Sequence, residues 1–408
     1  MKIGIIKEGK FPPDARVPLA PNQCKFIENH FPVKVVVESS PSRCYSDNEY
    51  QAAGIEVVDN LTDCEMLMGV KEVPVKQLMP CKTYFFFSHT IKKQPQNRQL
   101  LWSILDKNIR LIDYEVVKDA AGKRLIAFGK FAGMVGAHNA LWTYGQRTGA
   151  FQLLRMKDCK DYATASELYK SIVFPPVKIV LTGTGRVSAG AVQVLQDMGI
   201  SQVEPEDFLE KSFNKAVFTQ LDSLHYVARK NGGGFKKQDF YEHPEKFVSA
   251  FAPYYKCADI LVHGIYWDMR APRFFTLEEM KQPDFRIQVI ADITCDIAPD
   301  ASIPSTIRPS TIAEPVYGFN PIVPAECPPF NKACIDVMAI DNLPNELPRD
   351  ASSAFGEQFI RFILPELFKD KSPMIENATI AAEGVICKKF NYLHDYVFAG
   401  QEPHGQFA

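Results

Sequence analysis

Two ionisable side chains in the first third of the chain stand where chemistry is commonly done. Lys71, in Gly69-Val70-Lys71-Glu72, follows the apolar run Met66 to Val70, and His89, in Phe87-Ser88-His89-Thr90, follows Tyr84 to Phe87. If both runs are strands of an open parallel sheet, both residues sit at carboxyl ends, the edge of such sheets where ligands bind. A lysine there, desolvated or beside another cation, has its pKa lowered towards acid/base or Schiff-base work, and histidine needs little tuning. Spacing alone does not separate these roles from a surface lysine or a hydrogen-bonded histidine. Arg16, on the proline-flanked loop Asp14 to Pro21, joins Lys71, Lys92 and Arg124 as four cations beside His89, and Asp113 and Glu115 end the run that begins at Arg110. Arginine pairs with carboxylates in bidentate fashion, so such a set suits a polycarboxylate substrate.

A different chemistry is written further on. The strand-like run Val177 to Leu181 enters Thr182-Gly183-Thr184-Gly185-Arg186-Val187-Ser188, and a helix-like stretch, Ala191 to Met198, follows. Glycines at 183 and 185 permit a tight turn and the close approach of a pyrophosphate to a helix N-terminus, while Ser188, small enough for close packing, replaces the third glycine of the dinucleotide fingerprint. About twenty residues on, where an acid reads the ribose 2′-hydroxyl, stands Glu204, in Gln202-Val203-Glu204-Pro205. A carboxylate there leans towards NAD, whereas Arg186 offers a partner to the extra phosphate of NADP.

The elements that must hold these residues are short β-rich runs alternating with helical windows. Lys2 to Ile6, Val33 to Val37, Met66 to Val70, Tyr84 to Phe87 and Arg110 to Asp113 alternate with Pro21 to Asn29 and Asn97 to Asp106, a βα repeat that predicts a mostly parallel sheet. Gly133 to Leu154 reads as a buried helix, Pro175-Pro176 punctuates the chain, and a second βα series runs through Ile260 to Gly264 and Ile287 to Ile293. Asp350 to Phe368 reads as an amphipathic helix returning to the first domain. The expected α/β architecture is two doubly wound Rossmann-like domains with mostly parallel sheets and a cleft between them. Residues 1–138 plus 345–408 form a discontinuous substrate domain, and residues 139–344 form the dinucleotide-binding domain.

With 46 basic and 48 acidic residues, a general nucleic-acid binder is disfavoured. No run approaches the roughly 20 apolar residues of a spanning helix, and the alternating start Met1 to Glu8 lacks a signal-peptide core, so a cytoplasmic protein without membrane partners is expected. Ten cysteines without paired or zinc-ligand spacing read as reduced thiols, and no metal site is expected.

The chain resembles the lysine-forming saccharopine dehydrogenases, or lysine–oxoglutarate reductases, grouped with alanine dehydrogenase and the nicotinamide-binding part of transhydrogenase. The likeness runs through Ala15-Arg16-Val17, Val70-Lys71-Glu72, Phe86 to Lys92, Ile112-Asp113-Tyr114-Glu115, Ala127-Phe128-Gly129, Thr182 to Gly185, Gly264-Ile265-Tyr266-Trp267 and Ile340-Asp341-Asn342-Leu343-Pro344. Lys92, the Asp-Tyr-Glu segment and the Ile-Asp-Asn-Leu-Pro segment favour the saccharopine branch. The resemblance implies NAD-linked, or NADP-linked, interconversion of saccharopine with lysine and 2-oxoglutarate, with Lys71 and His89 as acid/base pair. It further implies that Arg16, Lys92, Arg124 and Phe128 contact substrate, with Glu115 counted among the substrate-binding residues, and that Gly185, Arg186, Val187, Glu204, Tyr266, Ile293, Asp341, Asn342 and Leu343 hold the nucleotide. Two alternatives stay open: an alanine or other amino-acid dehydrogenase, and a dinucleotide-binding sensor without turnover.

Overall fold

In the computed structural model, which describes residues 1–398, the apolar runs of the first third are neighbouring strands of one sheet. These are β1 (Lys2–Ile5), β2 (Lys34–Glu38), β3 (Glu56–Val58), β4 (Met66–Met68), β5 (Thr83–Phe86) and β6 (Arg110–Asp113). All six run parallel in the order β6-β5-β4-β1-β2-β3, with Ile3 opposite both Val35 and Met66. Val35–Val37, Met66–Met68 and Tyr84–Phe86 are buried without alternation, as a sheet covered on both faces requires. The chain leaves β1 for β2 and β3 on one side and returns to β4 on the other, so the strand order reverses at β1.

The chain divides into two compact units, Met1–Ala127 with the segment from Pro348 onward, and Phe128–Leu347. The returning segment contributes the helix Pro348–Gln358, whose Ser352 hydroxyl accepts from the Val17 amide at 2.9 Å. It also supplies two strands that the sequence did not announce: β17 (Thr379–Ala382), antiparallel to β6, and β18 (Val385–Ile386). Residues 399–408, the end of the segment expected to return, lie outside the described residues.

The second unit has its own eight-stranded sheet, built from β7 (Lys178–Thr182), β8 (Ser201–Gln202), β9 (Val217–Leu221), β12 (Ile260–His263), β13 (Val289–Asp292), β14 (Tyr317–Asn320), β15 (Ala325–Cys327) and β16 (Ile335–Met338). Its order is β15-β14-β16-β13-β12-β7-β9-β8, parallel except for the two pairings of β14, the one strand that runs the other way. Between β9 and β12 an antiparallel ribbon, β10 (Val227–Arg229) with β11 (Phe247–Ser249), stands outside that sheet.

A boundary at residue 138 would cut the helix Gly129–Thr148, which lies wholly in the second unit. The reason is a backbone-to-backbone crossing with the helix Arg186–Asp197: a Cβ on Gly133 would fall 1.7 Å from the Val187 carbonyl oxygen, and one on Gly190 would fall 1.9 Å from that of Lys130. The expectation of ten reduced cysteines is also corrected. Cys327 and Cys334 form a disulfide beside Gly318, whose missing side chain leaves room for the sulfur, and the other eight are free. Among the described residues no helix is long and apolar enough to cross a membrane.

Candidate active site

The first sheet brings most of the expected catalytic and substrate residues to one edge. Glu8 and Arg16 follow β1, Lys71 and Glu72 follow β4, His89 follows β5 and Glu115 follows β6, so four adjacent strands deliver them at their carboxyl ends. This is the side of an open sheet, at its topological switch, where ligands bind. Arg16 is buried and grips Asp14 through Nε (3.0 Å) and Nη2 (2.6 Å). Glu8 accepts the backbone amides of Val70 at 2.6 Å and Lys71 at 2.9 Å, pinning the loop that carries the lysine. Burial, helped by the charge of Asp14, lifts the Glu8 carboxyl to about 8 against the pull of those amides and Arg16.

Burial also lowers the Lys71 ammonium, and the charges of Arg16 and Lys10 add to the effect, bringing it to about 8. Beside it, His89 Nδ1 lies 2.5 Å from Glu72 Oε1, while Lys10 Nζ donates to Glu72 Oε2 at 3.1 Å. Burial would raise the Glu72 carboxyl, but the hydrogen bond and charge of His89, joined by Lys10, outweigh it and hold the group at about 2. Contact at Nδ1 orients the ring and leaves Nε2 for proton exchange. The His89 backbone is left-handed, at φ 53°, a strained conformation for a residue with a Cβ that often marks a functional position. Asp113 ties the two neighbouring loops together by accepting from the amides of Ser88 (3.0 Å) and Glu115 (2.7 Å).

Lys92 and Arg124 both face Glu115, at 3.4 and 3.8 Å, and the Arg124 guanidinium lies 5.5 Å from the centroid of Phe87. Phe128 lies at the start of the second unit, as the N-cap residue of the helix Gly129–Thr148. Glu8, Asp14 and Glu72 are the partners that the sequence reading passed over. Glu72 alone carried a signal, its place next to Lys71.

In the second unit a cavity of about 460 Å³ opens where β7, β9 and β12 end. Gly183, Gly185, Asp222, Tyr226, Tyr241 and Tyr266 are among its lining residues. Gly183 has φ +94° and would bring a Cβ within 2.9 Å of the Gly264 carbonyl oxygen, whereas a Cβ on Gly185 would meet nothing within 4 Å. The first glycine therefore makes the turn and the second borders open space. Helix Arg186–Asp197 starts at that point, with Arg186 its first residue and Val187 packed towards Gly264. Ile293 follows β13 and packs against Gly136, and Asp341, Asn342 and Leu343 follow β16, so these positions share the carboxyl edge of the sheet.

Glu204 is corrected. It is the exposed N-cap of the short helix Pro205–Glu210 beyond β8, the outermost strand, and does not line the cavity. Two strand spacings separate β8 from β7, about 10 Å. Two carboxylates line the cavity, Asp222 and Asp268, and of these Asp222 stands at the end of β9, directly beside β7. Spacing misled because the chain visits the sheet edge at β8 before returning to the adjacent position. Among the described residues no cluster of three His, Cys, Asp or Glu side chains could hold a metal ion.

Residues 4–135 match the family model of the alanine dehydrogenase/PNT N-terminal domain. The chain is 31% identical to the mitochondrial α-aminoadipic semialdehyde synthase of Rattus norvegicus over 93% of its own length and 46% of that protein. It is 29% identical to the Arabidopsis thaliana α-aminoadipic semialdehyde synthase, of which it spans 41%. It thus covers less than half of these two curated relatives. Against the saccharopine dehydrogenase [NAD(+), L-lysine-forming] of Emericella nidulans it is 28% identical, over 93% of this chain and 94% of that one. Among solved structures, an L-alanine dehydrogenase matches with a TM-score of 0.65 at 16% identity, over 97% of this chain and all of that one. The transhydrogenase from Sinorhizobium meliloti matches with a TM-score of 0.55 at 12% identity, over 95% and 98% of the two chains. The chain therefore has the fold of the L-alanine dehydrogenase structure, matches the alanine dehydrogenase/PNT N-terminal domain model over residues 4–135, and is similar in sequence over most of its length to saccharopine dehydrogenases and α-aminoadipic semialdehyde synthases.

Proposed function

We propose that the protein is a nicotinamide-nucleotide-linked dehydrogenase that interconverts saccharopine with lysine and 2-oxoglutarate. The observation that carries this reading is the strand-end cluster of the first unit, a half-buried lysine lowered to about 8 at the end of one strand and a carboxylate-oriented histidine at the end of the next. It is read on a chain whose Emericella relative bears the name of that activity. In the condensing direction the lysine side-chain amine must lose protons, and the ketone oxygen of 2-oxoglutarate must gain them to leave as water. Lys71 exchanges a proton readily near neutrality, and His89, backed by Glu72, supplies the second exchange at Nε2. Because the substrate brings its own amine, Lys71 acts by proton transfer and not as a covalent nucleophile.

Arg16, Lys92 and Arg124 supply positive charge for the carboxylates, with Glu115 holding the last two in place. The second-unit cavity suits a dinucleotide: Gly185 borders open space, a twelve-residue helix begins there, and Asp222 presents a carboxylate. Gly183 and Gly185 would face the pyrophosphate, and Asp222 would receive the ribose hydroxyls, a role that suits NAD. Tyr266, Ile293, Asp341, Asn342 and Leu343 would border the rest. When bound, the nicotinamide nucleotide accepts or supplies the hydride.

The test is a rate comparison on purified protein, following loss of reduced-nucleotide absorbance. Lysine with 2-oxoglutarate should support turnover, and pyruvate with ammonium should not. The reverse result would assign the site to an alanine-type dehydrogenase.

A further inference from the structure

Between β9 and β12 the chain makes an excursion that the sheet does not need. After Asp222 it forms the β10–β11 ribbon, paired from Val227↔Ser249 to Arg229↔Phe247, and the helix Lys237–Glu242. Phe235, Phe240 and Phe247 pack on one another with ring centroids 5.2 to 6.4 Å apart, so the excursion is a folded arm with an aromatic core of its own. It is also a wall of the cavity, to which it contributes Val227, Phe240, Tyr241 and Pro244 opposite the Gly183 to Gly185 turn.

One cation on this arm faces the candidate ribose site. Lys237 Nζ lies 3.1 Å from Asp222 Oδ2 and 6.0 Å from the centroid of Tyr241, both of them lining residues, and its side chain is 47% exposed. Of the arm's other cations, Arg229 and Lys246 already face Asp239. A ribose bonded to Asp222 places its 2′-oxygen one hydrogen bond from that carboxylate. A lone acid there repels a 2′-phosphate. Here the phosphate would meet the carboxylate together with an ammonium that has three donors, of which Asp222 takes one. Residues 227 to 249 hold five basic and three acidic side chains, within a chain of net charge −2.

We propose that the arm selects the cofactor, and that Lys237 allows the site to accept the 2′-phosphate Asp222 alone would repel, so that the protein binds NADPH as well as NADH. The proposal rests on the cavity being the nucleotide site. Fluorescence titration of the purified protein with NADH and with NADPH tests both statements. Wild-type protein should bind both. Lys237→Gln should weaken NADPH about ten- to hundredfold, the scale of one charged hydrogen bond, and leave NADH nearly unchanged. Lys237→Arg should restore NADPH, and Asp222→Asn should weaken NADH. Equal weakening of both nucleotides by Lys237→Gln would show a merely structural partner of Asp222 and overturn the proposal, as would wild-type binding of NADH without NADPH. If neither nucleotide binds, the cavity is not the nucleotide site, and the proposal falls with the reading beneath it.

Discussion

Lys71 is destabilising where it stands. Its ammonium is lowered from 10.5 to about 8, first by burial and then by Arg16 and Lys10, so the folded protein holds that proton less firmly than the unfolded chain does. The penalty is present in full below pH 8 and fades as pH rises towards 10.5, so stability from this site increases with pH across that window. Lys71→Met should therefore raise the unfolding free energy at pH 7 by on the order of 1–3 kcal/mol, with the gain vanishing near pH 10.5. Denaturant titrations at both ends of the window check this, and equal effects at both would contradict it. The same substitution should lower turnover by about 10²- to 10⁴-fold with nucleotide affinity intact. In the oxidative direction wild-type activity should fall off below pH 8, where Lys71 is already charged and cannot take a proton. Arg124→Ala should raise the KM for 2-oxoglutarate about tenfold or more and leave that for the nucleotide in place, because only the dicarboxylate loses a charged partner. Equal changes in both would point to damage beyond the carboxylate site. Lys71 and His89 were legible because each directly follows an apolar run, whereas Glu8 became visible only once folding set its carboxylate against the amides of Val70 and Lys71.

At the scale of elements, two glycines of the second unit carry different loads. Gly133→Val would drive a side chain into the Val187 carbonyl across a helix crossing that has no slack, and should destabilise the unit by about 3 kcal/mol or more. Gly185→Val places its side chain in open space and should leave thermal unfolding near wild type while abolishing NADH binding, because that space is assigned to the pyrophosphate. Loss of stability in the second variant, or retained NADH binding, would remove Gly185 from the nucleotide site. The strand–turn–helix around these glycines could be read from the chain because its signals are local. The proposed acid could not be, since its position depends on strand order: β8 lies at the sheet edge and the neighbour of β7 is β9, which is why the proposal turns to Asp222 in place of Glu204. The tail held a similar surprise, for Thr379–Ala382 is a short strand whose partner, β6, is remote in sequence.

At the scale of the whole molecule, two sheets carry the two proposed chemistries, the strand-end cluster assigned to proton transfer in the unit built from both ends of the chain and the cavity assigned to the nucleotide in the unit between them. That division was legible because periodicity and the glycine motif mark the two βα series separately. The unit boundary at Ala127–Phe128 was not, because the helix Gly129–Thr148 is placed by contacts remote in sequence, such as the Gly133–Gly190 crossing and the packing of Gly136 against Ile293. The proposed reaction joins an amino acid to a keto acid through a secondary amine. Mass spectrometry of the product formed from lysine, 2-oxoglutarate and reduced nicotinamide nucleotide tests it most directly. Wild-type protein should form a product with the mass of saccharopine, reduced to a trace in both Lys71→Met and His89→Gln. Unaltered lysine beside alanine made from pyruvate and ammonium would contradict it.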